Sequence, residues 1–209
     1  AVQSVAERYF GQKEATKRGF QRMKPAEVEP FDKMVTKHTH QTHCIVGARA
    51  YDIHAEKRLP LALLINILGG PSANSRLNIL LREKNGLSYN IEANYTPYND
   101  CGMVAMYFST DHHNLDLCRE LIDKELRELR TTRLSSRRMA MTKRQFLAQM
   151  AISMENNEGY MLGAGKSFLV HNEIDTMEEV YKKVMGVTAD QIAEVAEEIF
   201  SKTSTLIYQ

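Results

Sequence analysis

Apolar and polar positions follow a strand period and then a helix period in the first half of the chain. The stretch "HCIVGARAY" (43–51) is apolar and β-branched, which predicts a strand. The apolar run at 59–68 predicts a short buried helix that stops at Gly69 and Gly70. Leucines with i, i+3, i+4 spacing predict a second helix over 75–84, and Gly86 supplies the positive φ that ends it.

Residues 88–110 predict a β-hairpin. In "SYNIEANYT" apolar and polar residues alternate, as they do in a strand with one buried face. "PYNDCG" predicts a turn of about six residues, and "MVAMYFST" predicts the returning strand.

The remainder of the chain is predicted to be mainly helical. The stretches 115–130 and 135–154 are amphipathic, and Thr176–Glu179 and Thr188–Gln191 are capping boxes that begin two further helices. The final "STLIYQ" is β-prone. Strands, a hairpin, a run of helices and a closing strand together predict an α+β fold, with helices packed on one face of an antiparallel sheet.

The first residues predict the end of another folded unit. Val2, Val5, Ala6 and Tyr9 form one stripe of an amphipathic helix, and "KRGFQRMKPAEVEPFD" has the mixed charge, glycine and prolines of a linker. We therefore expect residues 1–31 to be the last helix of a preceding domain with its linker. Residues 32–209 are expected to form a single α+β domain.

Composition excludes several classes of protein. The chain has 209 residues, 43% of them hydrophobic, and a net charge of +1, which gives no general attraction to nucleic acid. Its apolar runs are shorter than the roughly 20 residues of a membrane-spanning helix. Three widely spaced cysteines fit neither a disulfide framework nor a paired-cysteine zinc site. We expect neither nucleic-acid binding nor membrane insertion, and the thiols are predicted to be buried.

Two motifs fall short of a binding site. "GAGKS" is similar to a phosphate-binding loop, but five residues separate Gly159 from Gly165 where that motif has four, and no strand leads into it. The better prediction is a helix interrupted by small residues at a packing contact. His38, His40 and His43 precede a strand, where His38 and His40 would share one face. No carboxylate or thiolate stands at a spacing that completes a zinc site. Metal binding by these histidines is therefore only an alternative, and metal uptake by the isolated chain would support it.

The stretch "LREKNGLSYN" (81–90) contains a pair of hydrogen-bond donors. Arg82 falls in the last turn of a predicted helix and Tyr89 near the start of a strand, so a tight turn at Gly86 would aim both side chains at one point. A guanidinium and a phenol suit a peptide carbonyl that is acquiring negative charge. The alternative is structural: Arg82 pairs with Glu83 or Glu92, and Tyr89 packs in the sheet.

The stretch "NILGGPSANSRLNILLREKNGLSYNIEANY" resembles the second-half signature of the inverted-motif zinc peptidases, the family of insulinase, pitrilysin and mitochondrial processing peptidase. The resemblance extends over about residues 30–209 through "QTHCIVGARAY", "YMLGAGKSFLVHNEIDTMEEV" and "VTADQIAEVAEEIFSKTSTLIYQ". In such peptidases two similar α+β domains close like a clamshell, and an H-x-x-E-H helix of the first domain holds zinc. This chain lacks that motif, so it resembles the second domain.

The resemblance implies roles for six residues. Arg82 and Tyr89 match the arginine and tyrosine that reach the substrate backbone at the scissile bond. The positions that match the substrate loop are Gly69, Gly70, Ser75 and Arg76. Pro71 departs from the family, which commonly has a third small residue there, and it should stiffen the loop.

The resemblance thus implies the substrate-binding, transition-state-stabilising C-terminal domain of a zinc metalloendopeptidase that hydrolyses unfolded peptides. The chain itself would hold no cofactor and would be inactive alone. Zinc would come from a metal-bearing homologous domain or partner subunit. The alternative is a non-catalytic scaffold or processing-partner subunit of the same family.

Overall fold

A five-stranded sheet and seven α-helices make up the part of the chain that the computed structural model describes, residues 2–14, 19, 23 and 25–209. The strands are β1 (Asp32–Val35), β2 (Thr42–Ala50), β3 (Ile91–Pro97), β4 (Gly102–Thr110) and β5 (Ser204–Tyr208). The helices are α1 (Val2–Phe10), α2 (Arg58–Gly69), α3 (Leu115–Thr131), α4 (Ser136–Met154), α5 (Asn157–His171), α6 (Met177–Gly186) and α7 (Ala189–Phe200). A π-helix (Asn78–Glu83) and a 3₁₀ turn (His112–Asn114) complete the elements.

The strand order is β1-β5-β2-β4-β3, and the α+β prediction is confirmed. Three neighbouring pairs are antiparallel, as expected, whereas β1 runs parallel to β5. The sheet is therefore mixed. Strand β1 was not predicted, because its four residues "DKMV" carry two charges and no long apolar pattern.

The core lies on one side of the sheet, where α2, α3 and α7 cover it. In β2 every second residue from Thr42 to Ala48 is buried, and Ile45 and Arg49 on the opposite face are exposed. Cys44 and Cys118 are buried as predicted, whereas Cys101 is only half-buried. Burial raises the pKa of the Cys44 thiol to about 12, as expected for a thiol in apolar surroundings.

Local signals place most elements correctly. Both capping boxes form, with reciprocal bonds between Thr176 and Glu179 and between Thr188 and Gln191. The hairpin also forms. Each strand reaches one residue further into the turn than predicted, so only residues 98–101 lie between them, and β3 begins at Ile91 rather than at 88. The predicted helix over 75–84 is a π-helix for most of its length, in which the Lys84 N–H donates to the Ile79 carbonyl at 3.0 Å.

Helix α5 contains the "GAGKS" stretch, and the prediction of an interrupted helix at a packing contact was wrong. The helix is continuous from Asn157 to His171 and is capped by Asn156 at its start. A β-carbon placed on Gly163 or Gly165 would meet no described atom within 4 Å. These glycines therefore face open space.

Candidate functional site: a fixed turn that exposes an arginine and a tyrosine

Backbone hydrogen bonds close the turn that separates Arg82 from Tyr89. Gly86 adopts a φ of +62°, which favours glycine over any residue with a β-carbon. Its N–H donates to the Arg82 carbonyl at 2.9 Å, and the Leu87 N–H donates to the Leu81 carbonyl at 2.7 Å. The chain therefore folds back directly after the π-helix, and residues on both sides of the turn are held together.

The backbone around Tyr89 is also attached to the end of β4. The Thr110 hydroxyl donates to the Leu87 carbonyl at 2.6 Å, and the Ser109 N–H donates to the Asn90 carbonyl at 3.3 Å. The Ser88 side chain is buried and donates to the same Asn90 carbonyl at 3.3 Å. Tyr89 thus projects from a backbone that is hydrogen-bonded on each side of it.

The two donor side chains themselves point outward. The Tyr89 residue is 79% exposed, more than any other tyrosine or phenylalanine among the described residues. Its hydroxyl makes no hydrogen bond to any of them, which does not fit the alternative of a ring packed in the sheet. The Arg82 side chain is 50% exposed, and its Nε lies 3.7 Å from Glu83 Oε1. Such an exposed pair holds the guanidinium weakly. The turn links the two residues through the backbone, and no hydrogen bond joins their side chains.

Gly69 and Gly70 are needed for close packing at the end of α2. A β-carbon on Gly69 would lie 2.7 Å from the Ala93 β-carbon of β3. A β-carbon on Gly70 would lie 2.6 Å from the Asn66 carbonyl oxygen. Both glycines are buried, so their contacts are internal to the domain.

Ser75 and Arg76 anchor the far end of the loop. The Ser75 side chain is buried and accepts a hydrogen bond from Asn78 Nδ2 at 2.9 Å. Arg76 forms ion pairs with Glu125 and Glu128 of α3, the second at 2.6 Å. Burial raises the pKa of Glu125, and the neighbouring Arg76 charge opposes that shift. Ser75 is therefore bonded to the π-helix itself, and Arg76 ties the start of that helix to α3.

Two glutamines of α4 hold the middle of the loop, and sequence reasoning did not find them. Asn74 Nδ2 donates to Gln145 Oε1 at 2.9 Å, and Gln149 Nε2 donates to the Ser72 hydroxyl at 3.1 Å. Asn66 Nδ2 donates to Gln149 Oε1 at 2.7 Å, which ties the same glutamine to α2. The i, i+4 spacing of the glutamines places them on one face of α4, and that spacing was the only signal available.

The histidines do not assemble a metal site in the described ranges. His38 has a φ of 51° and lies outside β2, as does His40, and both are exposed. His43 Nδ1 lies 2.8 Å from the Tyr107 hydroxyl. Among the residues that the structure describes, no three His, Cys, Asp or Glu side chains come close enough to hold a metal ion. These residues therefore do not fit zinc.

Among the described residues, no helix is both long enough and apolar enough to cross a membrane.

The chain matches one family model, several curated proteins and several solved structures. A family model described as the Peptidase M16 inactive domain matches residues 1–146. The uncharacterized zinc protease YmxG of Bacillus subtilis is 28% identical over 200 residues, which cover 96% of this chain and 48% of that protein. The crystal structure of a protease from Helicobacter pylori superimposes with a TM-score of 0.85 at 16% identity, over 100% of this chain and 52% of that one. A chain of complex III2 from Candida albicans gives a TM-score of 0.77 at 13% identity, over 98% of this chain and 51% of that one.

The structural likenesses show the fold, which proteins of different kinds share. The chain spans about half the length of the curated relatives it matches. The family model covers more than half of the chain, and the curated relatives with which the chain aligns are named zinc proteases. This confirms the resemblance found in the sequence: the chain belongs to the M16 peptidase family and corresponds to its inactive domain.

Proposed function

We propose that residues 32–209 are the substrate-binding, transition-state-stabilising domain of a zinc metalloendopeptidase that hydrolyses unfolded peptides. Residues 1–31 would be the last helix of a metal-bearing homologous domain and the linker to it. In keeping with this division, α1 has no buried residue and β1 begins at Asp32.

One observation carries the proposal: Arg82 and Tyr89 project from a backbone that is hydrogen-bonded in place, and both side chains are exposed. An exposed arginine and an exposed tyrosine lose entropy when they bind, but a fixed backbone limits that cost. The arrangement is suited to binding a group that arrives from outside the domain.

The chemistry of the donors defines that group. When water attacks a peptide bond, the carbonyl oxygen acquires negative charge, and donors aimed at it stabilise the transition state. The Arg82 guanidinium carries a permanent positive charge, and the Tyr89 hydroxyl donates a single directed hydrogen bond. Zinc in the assembled enzyme would activate the water, and it would be supplied by the homologous domain.

The loop between α2 and the π-helix would meet the substrate through its exposed residues. Gly69, Gly70, Ser75 and Arg76 would act as its anchors, because their contacts lie inside the domain. Pro71, Ala73 and Asn74 are exposed between them. The hydrogen bonds that join the loop to Gln145 and Gln149 favour a loop that is already ordered before substrate binds.

The test is a set of variants in the natively assembled enzyme. We expect Arg82→Ala and Tyr89→Phe each to lower kcat by about 10²-fold, since each removes one donor to the developing charge. Arg144→Ala and Tyr98→Phe are matched controls, because both residues are exposed and lie outside the turn. Steady-state hydrolysis of an unfolded peptide, with circular dichroism to check folding, measures the effect. Unchanged turnover in both site variants would refute the assignment.

The isolated chain gives a second measurement. Residues 1–209 are expected to bind no stoichiometric zinc and to cleave no peptide, because the described residues lack a metal-binding group. Elemental analysis after dialysis against zinc measures this directly. One tightly held zinc per chain would instead favour the histidine-rich segment as a metal site.

A non-catalytic scaffold or processing-partner subunit is the second candidate. Its supporting observation is that the same fold occurs in a chain of complex III2 from Candida albicans. A scaffold does not require donors at the turn. Normal assembly and activity in the Arg82→Ala and Tyr89→Phe variants would therefore favour it.

A further inference from the structure

Helix α5 has its most apolar side turned to solvent. With about 100° between successive residues, one stripe of the helix is formed by Met161, Leu162, Gly165, Phe168 and Leu169. The four side chains of this stripe are between 53% and 86% exposed. We call these five residues the outer stripe of α5.

The opposite side of α5, which faces the rest of the domain, carries smaller and more polar residues. Its half-buried residues are Ala164, Ser167, Val170 and His171. The Ser167 hydroxyl donates to the Glu173 carbonyl at 2.9 Å, and the His171 ring meets the His54 ring edge-on with centroids 5.7 Å apart. An ordinary surface helix has the reverse arrangement, with apolar residues inward and polar residues outward. The outer stripe is therefore an exposed apolar surface with no packing partner among the described residues.

The shape and charge of the outer stripe favour a close, apolar contact. Gly165 lies at its centre with open space around it, so the large side chains on either side border a shallow depression. Glu158 and Lys166 are the only acidic and basic residues in the fifteen residues of α5 apart from His171. A partner for this surface needs an apolar face rather than a charged one.

A second uncovered apolar stripe lies on α1, across the linker. Its Val2, Val5 and Tyr9 are each more than half exposed, and no residue of the described helix is buried. The C-terminal part of the linker is held on the domain, because Arg49 donates to the Ala26 carbonyl at 2.9 Å. The Phe31 N–H also donates to the Ser204 hydroxyl at 3.2 Å. These bonds keep whatever is joined to the linker close to this domain.

We infer that the outer stripe of α5 is an interface for the other half of the two-domain protein, and that this half covers it permanently. The relatives are about twice as long as this chain, so they contain a second stretch of comparable length. A tethered domain faces a high effective concentration of its partner surface, which favours a lasting apolar contact. The inference rests on the proposed function for the identity of that half, although not on any catalytic step.

Methionine oxidation offers a direct test, because Met161 lies in the outer stripe. Hydrogen peroxide would be applied to the natively assembled protein and to residues 1–209, and oxidation of each methionine followed by mass spectrometry. Met141 is 50% exposed on α4 and serves as the internal control, against 63% for Met161. We expect assembly to slow Met161 oxidation by at least about tenfold and to leave Met141 unchanged.

Two substitutions sharpen the result. Leu169→Glu places a charge in the outer stripe, whereas Leu117→Glu places one at a 46% exposed leucine of α3. In the assembled protein, Leu169→Glu should restore fast oxidation of Met161, and Leu117→Glu should not. Equal oxidation of Met161 in the assembled protein and the isolated chain would overturn the inference, as would equal slowing of Met161 and Met141.

The test also distinguishes other occupants and other failures. If residues 1–209 sediment as a dimer in which Met161 is already protected, the occupant is a second copy and the inference is wrong. The Arg82→Ala variant should keep full protection of Met161, because it leaves the interface intact. Protection with unaltered turnover in that variant would support the interface and contradict the proposed function, so the two can fail separately.

Discussion

Helices α2 and α5 are both apolar stretches with glycines, but α2 is largely buried and α5 is exposed. Eight of the twelve residues of α2 are buried, whereas none of the fifteen residues of α5 is. A β-carbon on the glycine that ends α2 would collide with β3, whereas one on Gly163 or Gly165 of α5 would meet no described atom outside the helix within 4 Å. The comparison shows that apolar residues in a helix reveal a need for burial without revealing whether the same chain provides it.

The difference arises from where each helix lies. Helix α2 is enclosed by β3, α4 and α7, so side chains on nearly every side of it are removed from water. Helix α5 rests on the end of α4 and on the segment that contains His54. One helix therefore completes the core of this domain, and the other offers an apolar surface to something outside it.

The largest expected effect is on stability, from one leucine in each helix. Leu64 is fully buried, so Leu64→Ala should lower the free energy of unfolding of residues 1–209 by about 2–5 kcal/mol through lost burial and a new cavity. Leu169 is 86% exposed, so Leu169→Ala should change it by less than about 0.5 kcal/mol. Urea denaturation of both variants measures the difference. A similar loss in the two would mean that α5 packs within this chain.

A glycine-to-alanine pair should change stability in opposite directions. Gly69→Ala forces a β-carbon against Ala93, and overpacking of this kind costs about 1–3 kcal/mol. Gly163→Ala meets no obstruction and should stabilise α5 by about 0.5–1 kcal/mol through its higher helix propensity. Thermal unfolding of the isolated chain reports both signs. A destabilising Gly163→Ala would show that the helix is more closely packed than its open surroundings indicate.

Elements that depend on local signals could be predicted from the sequence. The alternation in β3, the apolar run of α2 and the reciprocal caps at Thr176 and Thr188 each act within a few residues, and each forms as expected. The turn at Gly86 also depends on a local signal, because a glycine with positive φ is enough to end a helix. The positions of Arg82 and Tyr89 on either side of that turn could therefore be predicted from the sequence.

Features that depend on distant partners could not be predicted in this way. The four residues of β1 become a strand only because β5, at the other end of the chain, pairs with them. Arg76 was matched to the substrate loop by resemblance, and its ion pairs with α3 depend on residues about fifty positions away. The exposed α5 is the extreme case, because the partner that we infer for it lies outside the described residues.

The smallest expected effect concerns the acid response of α5. Partial burial lowers the pKa of His171, and electrostatic interactions with Arg58, His54 and Lys183 lower it further, while Asp175 acts in the opposite direction. A histidine whose folded pKa lies below its usual 6.5 stabilises the folded form above that pH. That contribution is lost as the pH falls through the folded pKa, when the imidazolium forms near the charges of Arg58 and Lys183.

We therefore expect the end of α5 to open more often at pH 5.5 than at pH 7.5, with no such change in α2. Hydrogen exchange of peptides from residues 157–171 and 58–69, corrected for the intrinsic pH dependence of exchange, measures both. His171→Gln removes the titrating group and should abolish the difference, whereas His113→Gln, an exposed histidine outside this contact, should keep it. An equal acid response in His171→Gln would mean that another group, such as Asp175 or Lys183, controls the helix end. An equal response in α2 would mean that acid loosens the whole domain, and the contrast between the two helices would not extend to their dynamics.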